Sequence, residues 1–417
     1  MKLLINICAH DGIISHYCGV GTMVHRYIKT IVSFIKNSND IIELNLITPQ
    51  YNELSFGYSK EYSYYSNSIL NAKVIQISNG SNGEQNFGEF DNWQTLCTNT
   101  ATFINNINND RYDKIINIYN DVPFTDLANK LNFSNKNINI WIPHSTVKIH
   151  SYDAYTSENS MKYYARLGLE INSISFINTH INCYVACISE YMKEHLITEY
   201  GLHKQKIKML INGEILDDCT LTQPVSNKDI DNLLKSLNEN KILILSYGRA
   251  EKYKGLETSM YIGSKLNLPT IIIAQSYYKT QPILDEYKKI ASECNSKLII
   301  DPPFNLASII LNEYKGTLIV LLPSKRESMG LIINEIRKLN KNNILVVAND
   351  IDGFREQIKN GIDGVIVNFD NIESACDEIR KNLDENKIKL INKKAQKTLV
   401  KKYNFIRNFN KFKKGIL

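Results

Sequence analysis

The sequence predicts an α/β protein of two domains, each a parallel sheet covered by helices on both faces. Three observations carry that prediction. The chain has 417 residues, more than a single hydrophobic core usually organises. Short apolar runs alternate with helical patterns along its whole length, and an alternating βα pattern requires parallel strands with helical crossovers. An apolar content of 43% with 22% charged residues is that of a globular protein, and there is no internal repeat or long low-complexity tract.

In the first part, strands are expected at 3–8, 42–47, 73–77, 114–118, 138–142 and 184–188, with helices at 23–36, 93–107, 124–131 and 163–180. Residues 48–92 are poor in pattern and rich in Ser, Asn, Gly and Tyr, so they read as long loops or an excursion. In the second part, strands are expected at 242–246, 270–274, 298–301, 318–322, 344–348 and 364–367, with helices between them. The polar segment 216–240, with Asp217-Asp218 and Asn227-Lys228-Asp229, reads as a loop and a surface helix near the hinge. No run of about 18 uncharged apolar residues is present, so no membrane-spanning helix is expected. The opening run Met1-Lys2-Leu3-Leu4-Ile5-Asn6-Ile7-Cys8-Ala9 is too short for a secretion leader. It carries Asn6 and is followed by His10-Asp11-Gly12, so it reads as a first buried strand. The eight cysteines are scattered without a Cys-x-x-Cys pair, and Cys187, four after Cys183, falls in an expected strand. Buried thiols in a reducing cytoplasm are expected, not a disulfide framework or a metal site.

Two strand–loop–helix units carry the chemistry. The apolar strand from Lys241 runs into Gly248-Arg249-Ala250-Glu251-Lys252-Tyr253-Lys254-Gly255 and then a helical pattern with Leu256, Met260, Ile262 and Leu266. Arg249 and Lys254 are thereby held at the carboxyl end of a strand, where ligands bind in open parallel sheets. A guanidinium fork and an ammonium point charge together can hold a diphosphate. Some 75 residues later a strand leads through Pro323-Ser324 into Glu327-Ser328-Met329-Gly330-Leu331-Ile332-Ile333-Asn334-Glu335. One glutamate precedes the helix and the other lies about one turn inside it. The helix start offers outward N–H groups to an anion, so the pair suits a ligand carrying hydroxyls beside a phosphate.

The order Gly-Arg, four residues, Lys-Gly, then Pro-Ser, then two glutamates with seven residues between them, resembles glycosyltransferase family 4. Ile188-Ser189-Glu190, Lys206 through Asn212-Gly213, Asp352-Gly353-Phe354-Arg355-Glu356 and Asn360-Gly361-Ile362-Asp363-Gly364 resemble further segments of that family, over about 185–385. Met329 stands where the family usually has Phe. The resemblance implies a GT-B fold: two Rossmann-like domains facing a cleft, with a C-terminal helix returning to the first. It implies domains at 1–190 with 396–417 and at 191–395. It also implies retaining transfer from a nucleoside diphosphate sugar, UDP more readily than GDP, with no metal and no other cofactor. In that reading Arg249 and Lys254 bind the diphosphate and stabilise its developing charge. Glu335 holds the ribose, Glu327 contacts the donor sugar, and the amides of Met329, Gly330 and Leu331 bond sugar hydroxyls and phosphate. Phe304, in Asp301-Pro302-Pro303-Phe304, lies against the base.

The first domain offers Gly19-Val20-Gly21-Thr22, which opens a helix after a long loop. Position 24 is Val, so the dinucleotide glycine spacing is incomplete. By resemblance Gly21 lets the backbone approach donor or acceptor, and the alternative is a plain helix-start turn. Trp141-Ile142-Pro143-His144 ends a strand, and His144 would bond a sugar hydroxyl or be structural. Asp229-Ile230-Asp231 matches a metal-binding Asp-x-Asp, but no apolar strand precedes it.

The net charge of +6 is uneven: the segment after Glu385 holds eleven Lys or Arg and no acidic residue, which leaves the rest at −5. With Tyr403, Phe405, Phe409 and Phe412 interleaved, this tail reads as a docked amphipathic helix, as a contact to anionic membrane, or as a nucleic-acid site. A pI near 8.6 is too mild for nucleic acid as the main partner. The expected setting is the cytoplasm, or peripheral contact at the inner membrane surface if the tail meets lipid. The acceptor stays open among glycan, lipid, protein and small molecule. Two other classes compete: a nucleotide-sugar epimerase on the same scaffold, and a non-catalytic nucleotide- or carbohydrate-binding protein.

Overall fold

The computed structural model describes residues 1–416 except 82–89, 133, 151–156, 219–227, 277–280 and 304. It forms two compact units, Met1–Asn212 with Ile406–Leu417, and Gly213–Phe405. The sequence placed the first boundary at residue 190. Parallel pairing of Val185 with Ile207 and Cys187 with Met209 keeps the chain on the first sheet past that point. It placed the return at residue 396, but helix Glu385–Lys402 buries Ile388 and Ile391 in the core of the second unit.

The first unit is a seven-stranded parallel sheet of β1 (Lys2–Cys8), β2 (Ile41–Pro49), β3 (Ala72–Ile77), β4 (Lys114–Asn120), β5 (Asn137–Ile142), β6 (Cys183–Cys187) and β7 (Ile207–Met209), in the order β3-β2-β1-β4-β5-β6-β7. Its strands are near-continuous apolar runs because both faces are covered. The exception is an asparagine ladder across four strands. Asn45 donates to Asn6 (2.8 Å), Asn6 to Asn117 (2.7 Å) and Asn117 to Asn139 (2.8 Å). These residues lie opposite one another in the register and are buried. A slip of one residue would strand every buried amide without a partner, so the ladder pins the register.

The second unit is a six-stranded parallel sheet of β8 (Ile242–Arg249), β9 (Thr270–Gln275), β10 (Lys297–Ile300), β11 (Thr317–Leu322), β12 (Ile344–Asn349) and β13 (Val365–Val367), in the order β10-β9-β8-β11-β12-β13. Its cores are aliphatic on both faces, with Leu243, Leu245 and Val320 on one side and Ile244, Ile319 and Leu321 on the other. In each sheet the order reverses once, between β1 and β4 and between β8 and β11. In open parallel sheets ligands bind at such a reversal, beyond the carboxyl ends of the strands.

Two expectations need correcting. Residues 48–92 are not all loop: helix Lys60–Ser68 forms there, capped by the Ser59 side chain on the Tyr62 amide. The expected helix at 124–131 divides into a 3₁₀ turn, Val122–Phe124, and one helical turn, Leu127–Lys130, with Pro123 in the first. The last helix, Phe405–Lys414, returns to the first unit: Asn408 donates to the Ile211 carbonyl (3.0 Å) and Lys413 lies 3.9 Å from the Phe34 ring. No helix among the described residues is long and apolar enough to cross a membrane.

Candidate active site

In the second unit, β8 runs two residues further than its apolar core suggests, because Gly248 and Arg249 pair with Ala274 and Gln275. The Arg249 guanidinium bonds the Tyr253 hydroxyl (2.5 Å) and the Glu251 carboxylate (3.2 Å). The chain then turns through Lys252–Lys254 to Gly255, at φ +62°. A Cβ there would lie 2.9 Å from the Pro323 carbonyl, so glycine lets the β8 loop press against the β11 loop. The Lys325 amide donates to the Tyr253 carbonyl (2.7 Å) and closes the two loops together.

Across that seam Lys254 Nζ bonds Glu327 Oε1 at 2.5 Å. Both side chains are mostly covered, 16% and 19% exposed, so the pair is only partly screened by water. The Tyr253 ring lies beneath Lys254 (5.2 Å) and Arg326 (5.6 Å). Burial pushes the Tyr253 hydroxyl far above its ordinary range, so it stays a neutral donor and acceptor beside Arg249.

Helix Leu331–Lys338 begins at the expected point, with Gly330 as its cap and Met329 buried behind it. Glu335 is half-buried in its second turn. Burial above all, and the Glu335 charge after it, raise the pKa of Tyr247 at the end of β8. The segment Asp352-Gly353-Phe354 explains how this start is held. A Cβ on Gly353 would lie 2.0 Å from the Glu327 carbonyl, and one on Gly330 would lie 2.5 Å from the Phe354 ring. The helix is fixed from behind by buried Arg337, which donates to the Gln357 carbonyl (2.8 Å) and lies 3.5 Å from Asp363. Thr398 donates to the same Asp363 (2.7 Å). Arg249, Lys254, Glu327, Met329, Gly330, Leu331 and Glu335 thus converge on the loops and helix start that follow β8 and β11. Phe304 lies outside the described residues.

The first unit has a different chemistry at its own reversal. After β1, the fully buried Asp11 carboxylate accepts from the amides of Gly12 (2.9 Å), Tyr17 (3.3 Å) and Cys18 (3.0 Å), and from the Ser15 hydroxyl (2.9 Å) and Cys18 thiol (3.2 Å). Burial raises its pKa, opposed by His10 and these donors. Gly21 lies in the first turn of helix Gly19–Lys36, where a Cβ would meet Asp11 Oδ2 at 2.2 Å. So Gly21 serves close approach to this carboxylate.

His144, after β5, is buried and bonds Asn120 Oδ1 through Nε2 (3.2 Å). Asp121, after β4, adopts φ +63°, ψ −168°, a region costly for any residue but glycine. It takes the His144 amide on its carboxylate and lies 4.0 Å from His10 Nε2. Burial holds His10 and His144 neutral, each lowered to about 4, and raises Asp121. The loop carrying His144 is tied down by buried Glu170, which accepts from the Val147 amide (3.0 Å), Arg166 (2.8 Å) and the Tyr200 hydroxyl (2.6 Å).

His144 and Gly21 stand out in the sequence, whereas His10, Asp11 and Asp121 do not. The signal that finds them is positional: polar residues following the two strands on either side of the reversal. Asp229 and Asp231 sit in the first turn of helix Lys228–Leu237. Among the described residues, no group of three His, Cys, Asp or Glu is placed to hold a metal ion.

These two sites sit in a fold with known counterparts. Residues 229–398 match the family model for glycosyl transferases group 1. Sucrose-phosphate synthase from Thermosynechococcus elongatus superposes over 100% of this chain and 99% of its own, with a TM-score of 0.73 at 14% identity. Anabaena HepE, in complex with UDP and glucose, gives 0.67 at 15% identity, over 100% and 99%. An α,α-trehalose-phosphate synthase (UDP-forming) from Burkholderia xenovorans, in complex with glucose-6-phosphate, gives 0.69 at 11%, over 100% of both chains. An uncharacterised 41.2 kDa protein in the cps region of Klebsiella pneumoniae is 24% identical over 195 residues, 46% of this chain and 49% of that one. The match therefore spans about half the length of that curated relative. The chain as a whole has the GT-B fold. Within it, the second unit carries a glycosyl transferases group 1 domain.

Proposed function

We propose that this protein is a retaining glycosyltransferase of family 4 that transfers a sugar from a nucleoside diphosphate sugar, UDP-linked rather than GDP-linked, to an acceptor. The observation that carries the reading is the meeting of Arg249, Lys254 and Glu327 on two interlocked loops beside a helix N-terminus. Arg249 and Lys254 hold the diphosphate, exchanging Glu251 and Glu327 for phosphate oxygens. Their charge stabilises the leaving group as the glycosidic bond breaks, which is often the largest single catalytic term. These two cations stand in for a divalent metal, so none is required. Glu335 holds the ribose hydroxyls. Glu327, released by Lys254, contacts the sugar, and the amides of Met329, Gly330 and Leu331 bond sugar hydroxyls and phosphate. His144, kept neutral by burial, offers a hydrogen bond to a sugar hydroxyl, and the leaving phosphate takes the acceptor proton. A reducing, cytoplasmic setting belongs to the same reading and suits the buried thiols of Cys8, Cys97, Cys183, Cys187 and Cys376.

The test is nucleotide release from a panel of UDP- and GDP-sugars with added EDTA, offered a pool of glycan, lipid and small-molecule acceptors. The anomeric configuration of the product is then read by NMR. UDP release that survives chelation, with a product of the donor's configuration, supports the reading. Inversion, or strict dependence on a divalent metal, contradicts it.

A further inference from the structure

The basic C-terminal segment divides into two helices that use their charges differently. In Phe405–Lys414 the aromatic residues are consumed by packing: Phe405, Phe409 and Phe412 are all buried. In Glu385–Lys402 the buried side is Ile388, Ile391, Ala395 and Leu399, and the opposite side is exposed. That side carries Lys389, Lys393, Lys394 and Lys397, with Leu390 and Val400 set among them, 52% and 51% exposed. At 3.6 residues per turn these six fall within an arc of about 140°.

Lys389, Lys393 and Lys397 follow one another at intervals of four, where like charges weaken a helix. Among the described residues none of Lys389, Lys393, Lys394 and Lys397 is paired with a carboxylate. The neighbouring helix Ile372–Lys381 shows the alternative, with Arg380 paired to Asp377 (2.9 Å) and Lys381 to Glu378 (3.2 Å). Folding alone therefore gives no reason for the stripe.

We infer that the exposed face of helix Glu385–Lys402 is a docking surface for an anionic lipid bilayer. Lysines on flexible stems suit a diffuse plane of negative charge better than bidentate readout of single phosphates, which favours arginine. Leu390 and Val400 within the basic arc supply apolar side chains that can enter the interfacial layer. The face offers no aromatic ring on which a nucleic-acid base could stack. The inference stands on this helix and is independent of the transfer reading.

The test is co-sedimentation of the full chain with phosphatidylcholine vesicles and with vesicles also containing phosphatidylglycerol. Lys389→Gln/Lys393→Gln/Lys397→Gln is run beside the wild type, and a labelled RNA oligonucleotide serves as competitor. The expected result is binding to the anionic vesicles only, weakened by salt, with about a 100-fold loss in the triple variant. The thermal midpoint of the variant should be unchanged or higher, since like-charge repulsion is relieved. Equal binding to both vesicle types, no vesicle binding by the wild type, undiminished binding by the folded variant, or RNA displacing the vesicles would each overturn the inference.

Discussion

The two units put their polar side chains at the same topological place and build opposite environments there. Beyond β8 and β11 the groups are charged, partly exposed and paired with one another, as Arg249 is with Glu251 and Lys254 with Glu327. Beyond β1, β4 and β5 they are buried, the histidines are held neutral, and one carboxylate, Asp11, organises a loop from within. The first arrangement offers exchangeable charge to a ligand. The second offers a rigid polar wall. The second-unit site should therefore fail by losing charge with its fold intact, and the first-unit site by losing shape.

The largest effect expected is on catalysis. Arg249→Ala should lower kcat/KM by about 10²–10³-fold, the usual consequence of losing one donor to a developing charge. Stability should change by less than about 1 kcal/mol, since the ion pair is partly exposed. Steady-state kinetics alongside urea denaturation separates the two. A variant that unfolds in proportion to its lost activity would erase the contrast between the sites. In the first unit, Asp11→Ala should cost about 3 kcal/mol or more, because it leaves several buried donors unsatisfied at once. Gly21→Ala, which drives a methyl into the same carboxylate, should cost about 1–3 kcal/mol. Denaturant midpoints check both.

Asn117→Ala should cost about 2 kcal/mol, because it strips partners from the buried amides of Asn6 and Asn139. A lower urea midpoint at unchanged m-value would measure that cost. Acid should find the first unit before the second. His10 and His144 titrate near 4 in the folded state and near 6.5 when unfolded. Below the unfolded value the unfolded chain binds more protons. Their contribution is thus complete above about pH 6.5 and is lost as pH falls toward 4. The raised carboxyl pKa values of Asp11 and Asp121 work in the other direction, gaining stability as these groups protonate. The histidine loss, read as the fall of Tm between pH 7 and 4, should therefore be partly offset by these carboxyls. His144→Asn should shrink it.

The same contrast governs how much the sequence discloses. All the β-strands expected from apolar runs form, because strands covered on both faces need continuous aliphatic side chains. Helix Lys60–Ser68 was not legible because only Ser66 is buried along it. It is held by contacts distant in sequence, such as the stacking of His16 and His25 on Tyr62. The second-unit residues were legible because they sit in two contiguous loops, each joining a strand to a helix. His10, Asp11 and Asp121 are single residues beyond two separate strands. Only the pairing of β1 with β4 brings them together. Gly353 shows a further limit: its motif was legible, but its contact with the Glu327 carbonyl is a property of the folded loops.

The central claim is that the loops after β8 and β11 bind a nucleoside diphosphate through Arg249 and Lys254. Calorimetric titration of UDP and GDP, with EDTA present, into the wild type and Arg249→Ala tests it most directly. The account predicts selective binding of UDP by the wild type, with affinity reduced at least about tenfold in a variant that remains folded. No binding of either nucleotide to the folded wild type, or equal binding to the variant, would contradict it.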